Sequence, residues 1–313
     1  MSAPRFTIIT ATYNRANFLR AAIASVQAQG RSDVEHLIID GASTDGTREL
    51  LAEFPHLRVI SEPDRGIYDA FNKGLALAQG EIVHFLNSDD LLVPGALLAI
   101  DQAMADESID LASGGVEFFA QSADGAEQML RRETAPERLE FSLHQVLSGL
   151  PAINARFFRR RVAASLGPFD LRYRIAADRE WLVRLALRQP RGVVVPSVVY
   201  RYLSHGGSLT IHESERNMEL IRTEHLTLAE THLAQPALHP ADRSELIGLH
   251  RRESAALAVD CAAAGHWRAA AAAAQRGCGV SPLWPFAGAK RLAGWLLGRS
   301  SRYNLAPPES GRK

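Results

Sequence analysis

The most constraining feature of this sequence is a regular alternation, through its first third, of short apolar strand-like segments with longer segments of helical spacing. Strands are expected at 6–11, 35–40, 57–62 and 81–86, and helices at 16–29, 47–54, 67–78 and 94–104. Strands that alternate with helices form a parallel sheet covered on both faces. The pattern therefore predicts an α/β fold whose ligands bind beyond the carboxyl ends of the strands.

A cluster of oxygen-bearing side chains, Asn87-Ser88-Asp89-Asp90, directly follows the fourth of these strands. Adjacent carboxylates repel each other unless a cation compensates them. Oxygen ligands at a strand end suit Mg²⁺ or Mn²⁺, especially when a substrate diphosphate completes the coordination shell. Taken alone, the cluster fits a turn ahead of a helix equally well, because Asn, Ser and Asp all form turns.

Two further polar segments occupy predicted strand ends. Asp40 would accept hydrogen bonds from a base or a ribose, or else close an Asx turn. The segment after the first strand would supply a stacking aromatic ring, an amide and a phosphate-binding guanidinium, or else cap a helix. Its residues are Thr12, Tyr13, Asn14 and Arg15. The shared position of all three segments at one edge carries more information than any one of them.

The composition of the chain restricts the classes of binding partner and the cellular compartment that we expect for it. With 35 Lys+Arg and 35 Asp+Glu the formal net charge is zero, which argues against nucleic acid as a partner. The two cysteines are too few for a disulfide framework, and the N-terminus has no apolar signal region. No segment approaches the ~18 apolar residues of a membrane span. We therefore expect a cytoplasmic protein in a reducing compartment.

Four motifs in a fixed order carry a resemblance to a known family: FTIITATYNR at 6–15, DGASTDGT at 40–47, EPDRGIYDAFNKG at 62–74 and FLNSDD at 85–90. They resemble the family 2 glycosyltransferases of GT-A fold. LGPFD at 166–170 and AADREWL at 176–182 resemble the acceptor half of that family. The resemblance covers about 6–210 and implies a GT-A (nucleotide-diphospho-sugar transferase) domain with a Rossmann-like mixed sheet.

The resemblance also implies a chemistry. Enzymes of this family use a nucleotide-diphosphate sugar, most often a UDP-sugar, and invert the anomeric centre. Their DXD-type motif binds the Mg²⁺ or Mn²⁺ that holds the diphosphate. Here Asn87 replaces the first Asp, so Asp89 becomes the leading metal ligand and Asp90 the second, with an alternative role near the ribose. His205, in a loop, would touch the metal or the diphosphate, or else is simply exposed.

The same resemblance assigns the donor pocket. Asp40 would hold the uracil or the ribose. The nucleotide pocket would be lined by Thr12, Tyr13, Asn14 and Arg15. Arg65 would approach the base or the phosphates.

An inverting transfer requires a base beside the acceptor hydroxyl, and a positioned carboxylate can take that proton. The matching motif places this base at Asp178, where a helix over 178–188 is expected to begin. An acidic residue is also common at such a position for capping and dipole reasons. Glu180 is the nearest competitor, although two positions along a helix it points away from Asp178.

The C-terminal hundred residues lie outside the resemblance. We expect a catalytic domain over 1–212 and a helical extension over 213–313, disordered from about 302. The segment 284–295 combines aromatic residues with Lys290 and Arg291 and has no acidic residue. It fits peripheral contact with an anionic membrane, or else a helix packed on the catalytic domain or in a homodimer interface.

The function predicted is transfer of a sugar from a nucleotide-sugar donor to a hydroxyl of a glycan or lipid-linked acceptor, in bacterial surface-polysaccharide synthesis. The enzyme would act in the cytoplasm or on the inner face of the plasma membrane. The alternatives are a nucleotidyltransferase, disfavoured because the loop 11–15 lacks glycines, and a nucleotide-sugar-binding protein without transferase activity, favoured only by Asn87.

Overall fold

A computed structural model describes residues 3–122, 125–149, 153–205 and 215–296. The chain divides into two compact units, Met1–His205 and Gly206–Lys313. The domain boundary predicted between residues 212 and 213, and the tail predicted from about 302, lie outside the described residues.

The first unit is built on one mixed sheet. Its described strands are β1 (Phe6–Thr12), β2 (Val34–Asp40), β3 (Arg58–Ser61), β4 (Ile82–Asn87), β5 (Leu91–Leu92), β6 (Leu111–Gln121), β7 (Glu127–Glu133), β8 (Arg156–Arg159) and β9 (Gly192–Ser204). Their order is β3-β2-β1-β4-β8-β6-β9-β5, with β7 paired to β6. The strands expected in the first third of the chain are confirmed within one residue or so at each end.

The four strands β3, β2, β1 and β4 are parallel neighbours, so their carboxyl ends lie at one edge. The register pairs Thr12 with Asp40 and Ala11 with Asn87. The polar segments that follow β1, β2 and β4 are therefore adjacent, as the sequence pattern predicts.

The other half of the sheet is mostly antiparallel. β8 runs antiparallel between β4 and β6, and β6 folds back on β7 as a hairpin. β9 pairs in parallel with β6, and its last residues pair with the two-residue β5, Leu91 with Arg201 and Leu92 with Tyr200. This pairing brings the end of β9 beside the residues that follow β4.

Eight helices of the first unit are described: α1 (Ala16–Gln27), α2 (Thr47–Ala52), α3 (Ile67–Leu77), α4 (Ala96–Ala103), α5 (Pro136–Leu139), α6 (Leu143–Ser148), α7 (Arg160–Leu166) and α8 (Ala177–Ala186). The strands β1, β2 and β4 are largely buried, and Phe6, Ile8 and Ile9 of β1 are fully enclosed. α3 packs closely on β1 because Gly74 has no Cβ, and one placed there would lie 2.3 Å from Ile9 Cγ2. The sheet and α3 thus form a rigid base for the loops at the edge.

The second unit is helical, with α9 (Glu215–Leu233), α10 (Pro240–Ala263), α11 (Trp267–Val280) and α12 (Trp284–Leu296) described. α10 ends at Ala263, and Gly265, with a left-handed φ of 79°, lies between it and α11. None of the described helices is long and apolar enough to cross a bilayer.

Candidate active site

The loops that follow β1 and β2 are joined by hydrogen bonds of Asn14. Its backbone N–H donates to Ser43 Oγ at 2.8 Å, and its side-chain Oδ1 accepts from the N–H of Thr44 at 2.8 Å. Asn14 adopts a left-handed φ of 52°, a conformation that Asn tolerates better than most residues. The structure therefore places the Asn14 amide between the two loops, where it fixes their separation.

Asp40 lies beneath these loops and is fully buried. Its carboxylate accepts hydrogen bonds from Ser43 N–H at 3.2 Å and from Ser61 Oγ at 2.6 Å, and also from the Ser43 hydroxyl. Both oxygens are therefore occupied by protein donors. This geometry disfavours the predicted direct contact with uracil or ribose and indicates that Asp40 shapes the loop, as the Asx-turn alternative expects.

An open surface above Asp40 is formed by Tyr13, Gly41 and Asp64. The Tyr13 ring is exposed. A Cβ at Gly41 would lie 2.7 Å from Asp64 Oδ2 and 3.2 Å from Tyr13 Cδ2, so a larger residue there would have to displace the Asp64 side chain. Thr12 is buried at the end of β1, and its hydroxyl has no hydrogen-bond partner among the described residues. The sequence prediction missed Asp64, although it lies within the 62–74 motif.

The two arginines predicted to face the donor differ in placement. Arg15 donates its backbone N–H to Thr47 Oγ1 at 3.1 Å, and its guanidinium lies 5.8 Å from the centre of the Phe18 ring. Arg65 is largely exposed, and its guanidinium pairs with Asp69 at 3.1 Å on the first turn of α3. Arg15 thus lies at the strand edge, whereas Arg65 would have to leave Asp69 to reach a ligand.

Asp89 and His205 form the contact most relevant to a metal. The His205 Nε2 atom lies 2.9 Å from Asp89 Oδ2, and both side chains are partly open to solvent. The Phe18 ring stacks on the imidazole, with ring centroids 4.7 Å apart and planes inclined by 25°. Phe18 thereby fixes the orientation of His205. No local pattern in the sequence predicts this contact, because 187 residues separate the two rings.

Asp90 is buried beside this pair and has protein donors at both oxygens. Oδ2 accepts from the Tyr200 hydroxyl at 2.6 Å and from the Asn87 amide at 2.9 Å, and Oδ1 accepts from the Leu203 N–H at 2.8 Å. Burial and the neighbouring charge of Asp89 raise the pKa of Asp90, and burial raises that of Tyr200. This arrangement disfavours the predicted role of Asp90 as a metal ligand. It ties the end of β9 to the end of β4.

The hydrogen bonds of Asp90 also explain the Asn at position 87. Its amide nitrogen donates to Asp90, so an Asp in its place would set one carboxylate against another. The Asn in place of the first Asp of the DXD pattern therefore donates a hydrogen bond to Asp90. By itself it does not indicate a site that has lost its activity.

Asp178 lies in the first turn of α8 and is half-buried. Its Oδ1 accepts from the Arg179 N–H at 2.7 Å and lies 3.3 Å from the Tyr68 hydroxyl. Desolvation outweighs these interactions and raises the pKa of Asp178 to about 6. A carboxylate tuned in this direction is better suited to take a proton near neutral pH than an ordinary Asp.

The competing carboxylate, Glu180, is buried and bound to Arg184 one turn along α8, at 2.9 and 3.0 Å. Arg184 also donates to the Leu166 carbonyl at 2.7 Å. Glu180 is thus engaged in holding the segment before α8, which favours Asp178 as the group available to an acceptor.

Helix α3 positions the segment that carries Asp178. The Asn72 amide donates to the Phe169 carbonyl at 3.0 Å and accepts from the Phe169 N–H at 2.7 Å, while the Tyr68 hydroxyl donates to the Ile175 carbonyl at 2.6 Å. Trp181, fully buried, donates to the Gly167 carbonyl at 3.0 Å. These positioning residues lie within the motifs 62–74 and 176–182, but sequence reasoning assigned them no role.

The residues present fit a divalent cation at one point. No group of three or more His, Cys, Asp or Glu side chains arranged for a metal occurs among the described residues. Asp89 and His205 alone bring two ligand atoms 2.9 Å apart, close to the roughly 3 Å that separates adjacent ligands of an octahedral ion with bonds of about 2.1 Å. The remaining positions would fall to phosphate and water oxygens.

Comparison with known sequences yields a consistent family. The sequence model described as Glycosyl transferase family 2 matches residues 7–166. A PGL/p-HBAD biosynthesis glycosyltransferase of Mycobacterium bovis is 33% identical over 215 residues, covering 65% of this chain and 75% of that protein. An uncharacterized glycosyltransferase of Mycobacterium tuberculosis is 32% identical over 191 residues, covering 59% and 70%.

Solved structures give the same fold. Staphylococcus aureus TarS 1-349, in complex with UDP-GlcNAc, superimposes with a TM-score of 0.67 at 19% identity, covering 95% of this chain and 93% of that chain. The mannosyltransferase PcManGT of Pyrobaculum calidifontis, in complex with GDP-Man and Mn²⁺, superimposes with a TM-score of 0.60 at 20% identity. The match covers 97% of this chain and 83% of that chain. These likenesses confirm the predicted GT-A fold.

Proposed function

This chain belongs to glycosyl transferase family 2, and we propose that it transfers a sugar from a nucleotide-diphosphate sugar to a hydroxyl of a glycan or lipid-linked acceptor, with inversion and with a divalent metal. The observation that carries the proposal is the pairing of Asp89 with His205 at the donor edge of a sheet that also supports a half-buried Asp178 with a pKa of about 6. A UDP-sugar is the first donor to test, because UDP-GlcNAc is present in the TarS complex, with GDP-sugars second.

The donor would occupy the edge formed by the ends of β1, β2 and β4. The exposed Tyr13 ring offers a stacking surface for the base, and Arg15 offers a cation for the phosphates. Asp40 and Asn14 keep the two loops in position without contacting the ligand. Arg65 contributes only if it leaves Asp69.

Asp89 and His205 would hold the Mg²⁺ or Mn²⁺ ion. The bound ion supplies positive charge next to the leaving diphosphate. Asp90 stays buried and holds Leu203, two residues before His205, so it acts as a positioning residue.

In the transfer step Asp178 accepts the proton of the acceptor hydroxyl as that oxygen forms its bond to the anomeric carbon. The bond from the anomeric carbon to the diphosphate oxygen breaks, and its electron pair leaves with the nucleotide. Attack on the face opposite the leaving group inverts the anomeric centre. Arg15 stabilises the negative charge that develops on the leaving group.

Calorimetric titration of the full chain with UDP, GDP and their common sugars, with and without Mn²⁺, tests the donor half. We expect binding of one nucleotide class that strengthens with the metal. Asp89→Ala should remove this metal dependence and leave weaker, metal-independent binding. Absence of binding by every nucleotide in the panel would overturn the proposal.

We place the reaction in the cytoplasm or on the inner face of the plasma membrane. Cys261 and Cys278 are both free thiols, and Cys278 is exposed, which suits a reducing compartment.

A further inference from the structure

Helix α12 turns an apolar face to solvent. Its inner face is partly buried at Trp284, Ala287, Gly288, Arg291 and Gly294, which follow helical spacing. The Trp284 indole donates to Ser254 Oγ at 2.9 Å and packs on Gly277, so the helix is anchored by this face. The opposite face, with Phe286, Ala289, Lys290, Leu292 and Ala293, is exposed.

The exposed side chains on this face are large. Phe286 is 74% exposed, and Leu283, just before the helix, is 54% exposed. Lys290 lies one turn from Phe286 on the same face. Water-facing helix positions are normally polar, so this face indicates a contact that removes it from water.

The charged side chains of α11 and α12 are all basic. The sequence has six Lys and Arg residues, and no Asp or Glu, between Asp260 and Glu309. Within α11 and α12, Arg276 pairs with Glu230 at 2.8 Å and Arg291 lies 3.5 Å from Asp260. Arg268 and Lys290 are exposed. The outer face of α12 therefore carries one exposed cation, Lys290, and no acidic side chain among its described residues.

A further exposed aromatic side chain, Trp267, lies at the start of α11. Trp284 and Arg291 of α12 lie against Ser254 and Asp260 of α10, so these two helices run parallel. α11 folds back from α10, which places its exposed first residue, Trp267, toward the C-terminal end of α12. An aromatic side chain with one polar atom suits the boundary between headgroups and acyl chains.

We propose that the outer face of α12, defined by Leu283, Phe286, Lys290 and Leu292, binds the surface of a membrane that contains anionic lipid. The apolar side chains enter the headgroup–acyl boundary, and Lys290 extends its ammonium to the lipid phosphates. A second copy of the chain is a poorer occupant, because a two-fold axis through this face would bring the two Lys290 side chains together with no acidic residue of the face to pair with them. The inference goes beyond the transfer reaction and does not depend on its donor.

Sedimentation of the full chain with vesicles tests the proposal, using phosphatidylcholine alone or mixed with phosphatidylglycerol. We expect binding only to the mixed vesicles, weakened by salt. Lys290→Glu changes the surface charge by two, which should lower the partition coefficient about thirtyfold. Phe286→Ala should lower it roughly tenfold.

Matched controls are available in the first unit. Leu98→Ala removes an apolar side chain that is 55% exposed on α4, and Arg188→Glu makes the same change in charge on an exposed residue after α8. Both should bind like the unaltered chain. Circular dichroism would check that all variants fold alike.

Three results would overturn the proposal: no sedimentation of the unaltered chain with anionic vesicles, equal sedimentation with neutral vesicles, or a dimer of the unaltered chain that Phe286→Ala converts to monomer. The last result would assign the face to a second copy. Since the assay contains no nucleotide, its failure would leave the donor titration above unaffected.

Discussion

Asp178→Asn should stabilise the fold while abolishing transfer. The carboxyl has an ordinary pKa of 3.8 and a folded-state pKa of about 6, and desolvation is the main cause. The folded chain therefore binds this proton more tightly than the unfolded chain. The neutral form contributes stability that is fully present below about pH 4 and is lost as the pH rises through about 6.

The magnitude follows from the two values. The difference between 3.8 and about 6 corresponds to roughly 3 kcal/mol of unfolding free energy above pH 7. Asn cannot ionise and has nearly the same shape, and its Oδ1 can still accept from Arg179 N–H. We therefore expect the variant to exceed the unaltered chain by about 2–3 kcal/mol at pH 8, with little difference at pH 4.

Urea unfolding of both proteins at pH 4 and pH 8 measures this difference. Glu180→Gln is a matched control on the same helix, because Glu180 is bound to Arg184 and its neutralisation should destabilise by about 1–2 kcal/mol. Calorimetry should show unchanged donor binding by Asp178→Asn, and a transfer assay should show no turnover. An Asn variant that is less stable at pH 8, or whose advantage does not grow between pH 4 and 8, would refute the argument.

Three further predictions concern the same site. First, kcat/KM should rise with pH and level off above an apparent pKa near 6, since Asp178 must be ionised to accept a proton; a profile flat between pH 5 and 8 would contradict this. Second, Phe18→Ala should free the His205 ring and weaken Mn²⁺-dependent donor binding several-fold in calorimetry, because such stacking contributes about 0.5–1.5 kcal/mol; unchanged affinity would remove Phe18 from the site. Third, Asn87→Asp should lower the free energy of unfolding measured in urea by about 1–3 kcal/mol, because it sets a carboxylate against Asp90; equal or greater stability would show that Asn87 is not the donor described here.

The half of the fold that the sequence predicted is the half in which parallel strands alternate with helices along the chain. From β1 to β4, each apolar segment ends in a polar cluster, and parallel pairing places those clusters together. The two-residue strand β5 has no such local signal. It exists because β9, more than 100 residues later, pairs with it.

The same distinction explains the site. Asp89 and Asp178 are predicted as site residues from motifs that are local in the sequence. The burial of Asp40 and Asp90 was not, because each depends on donors from other elements: Ser43 and Ser61 for Asp40, and Tyr200 and Leu203 for Asp90. A carboxylate in a sequence motif therefore marks a candidate position for a ligand contact. The hydrogen-bond donors around it determine whether its oxygens remain available to a ligand.

Asp90 is a buried carboxylate that joins the ends of β4 and β9 beside the proposed metal site. Its three partners, the Tyr200 hydroxyl, the Asn87 amide and the Leu203 N–H, all donate. A carboxylate offers an acceptor oxygen to all three donors, whereas an Asn at position 90 would offer one oxygen in place of two and an apolar residue none. Burial raises the pKa of Asp90, and its hydrogen bonds to Tyr200 and Leu203 hold the end of β9 against the end of β4. Because His205 follows Leu203 by two residues, that fixed end is what holds its imidazole at Asp89.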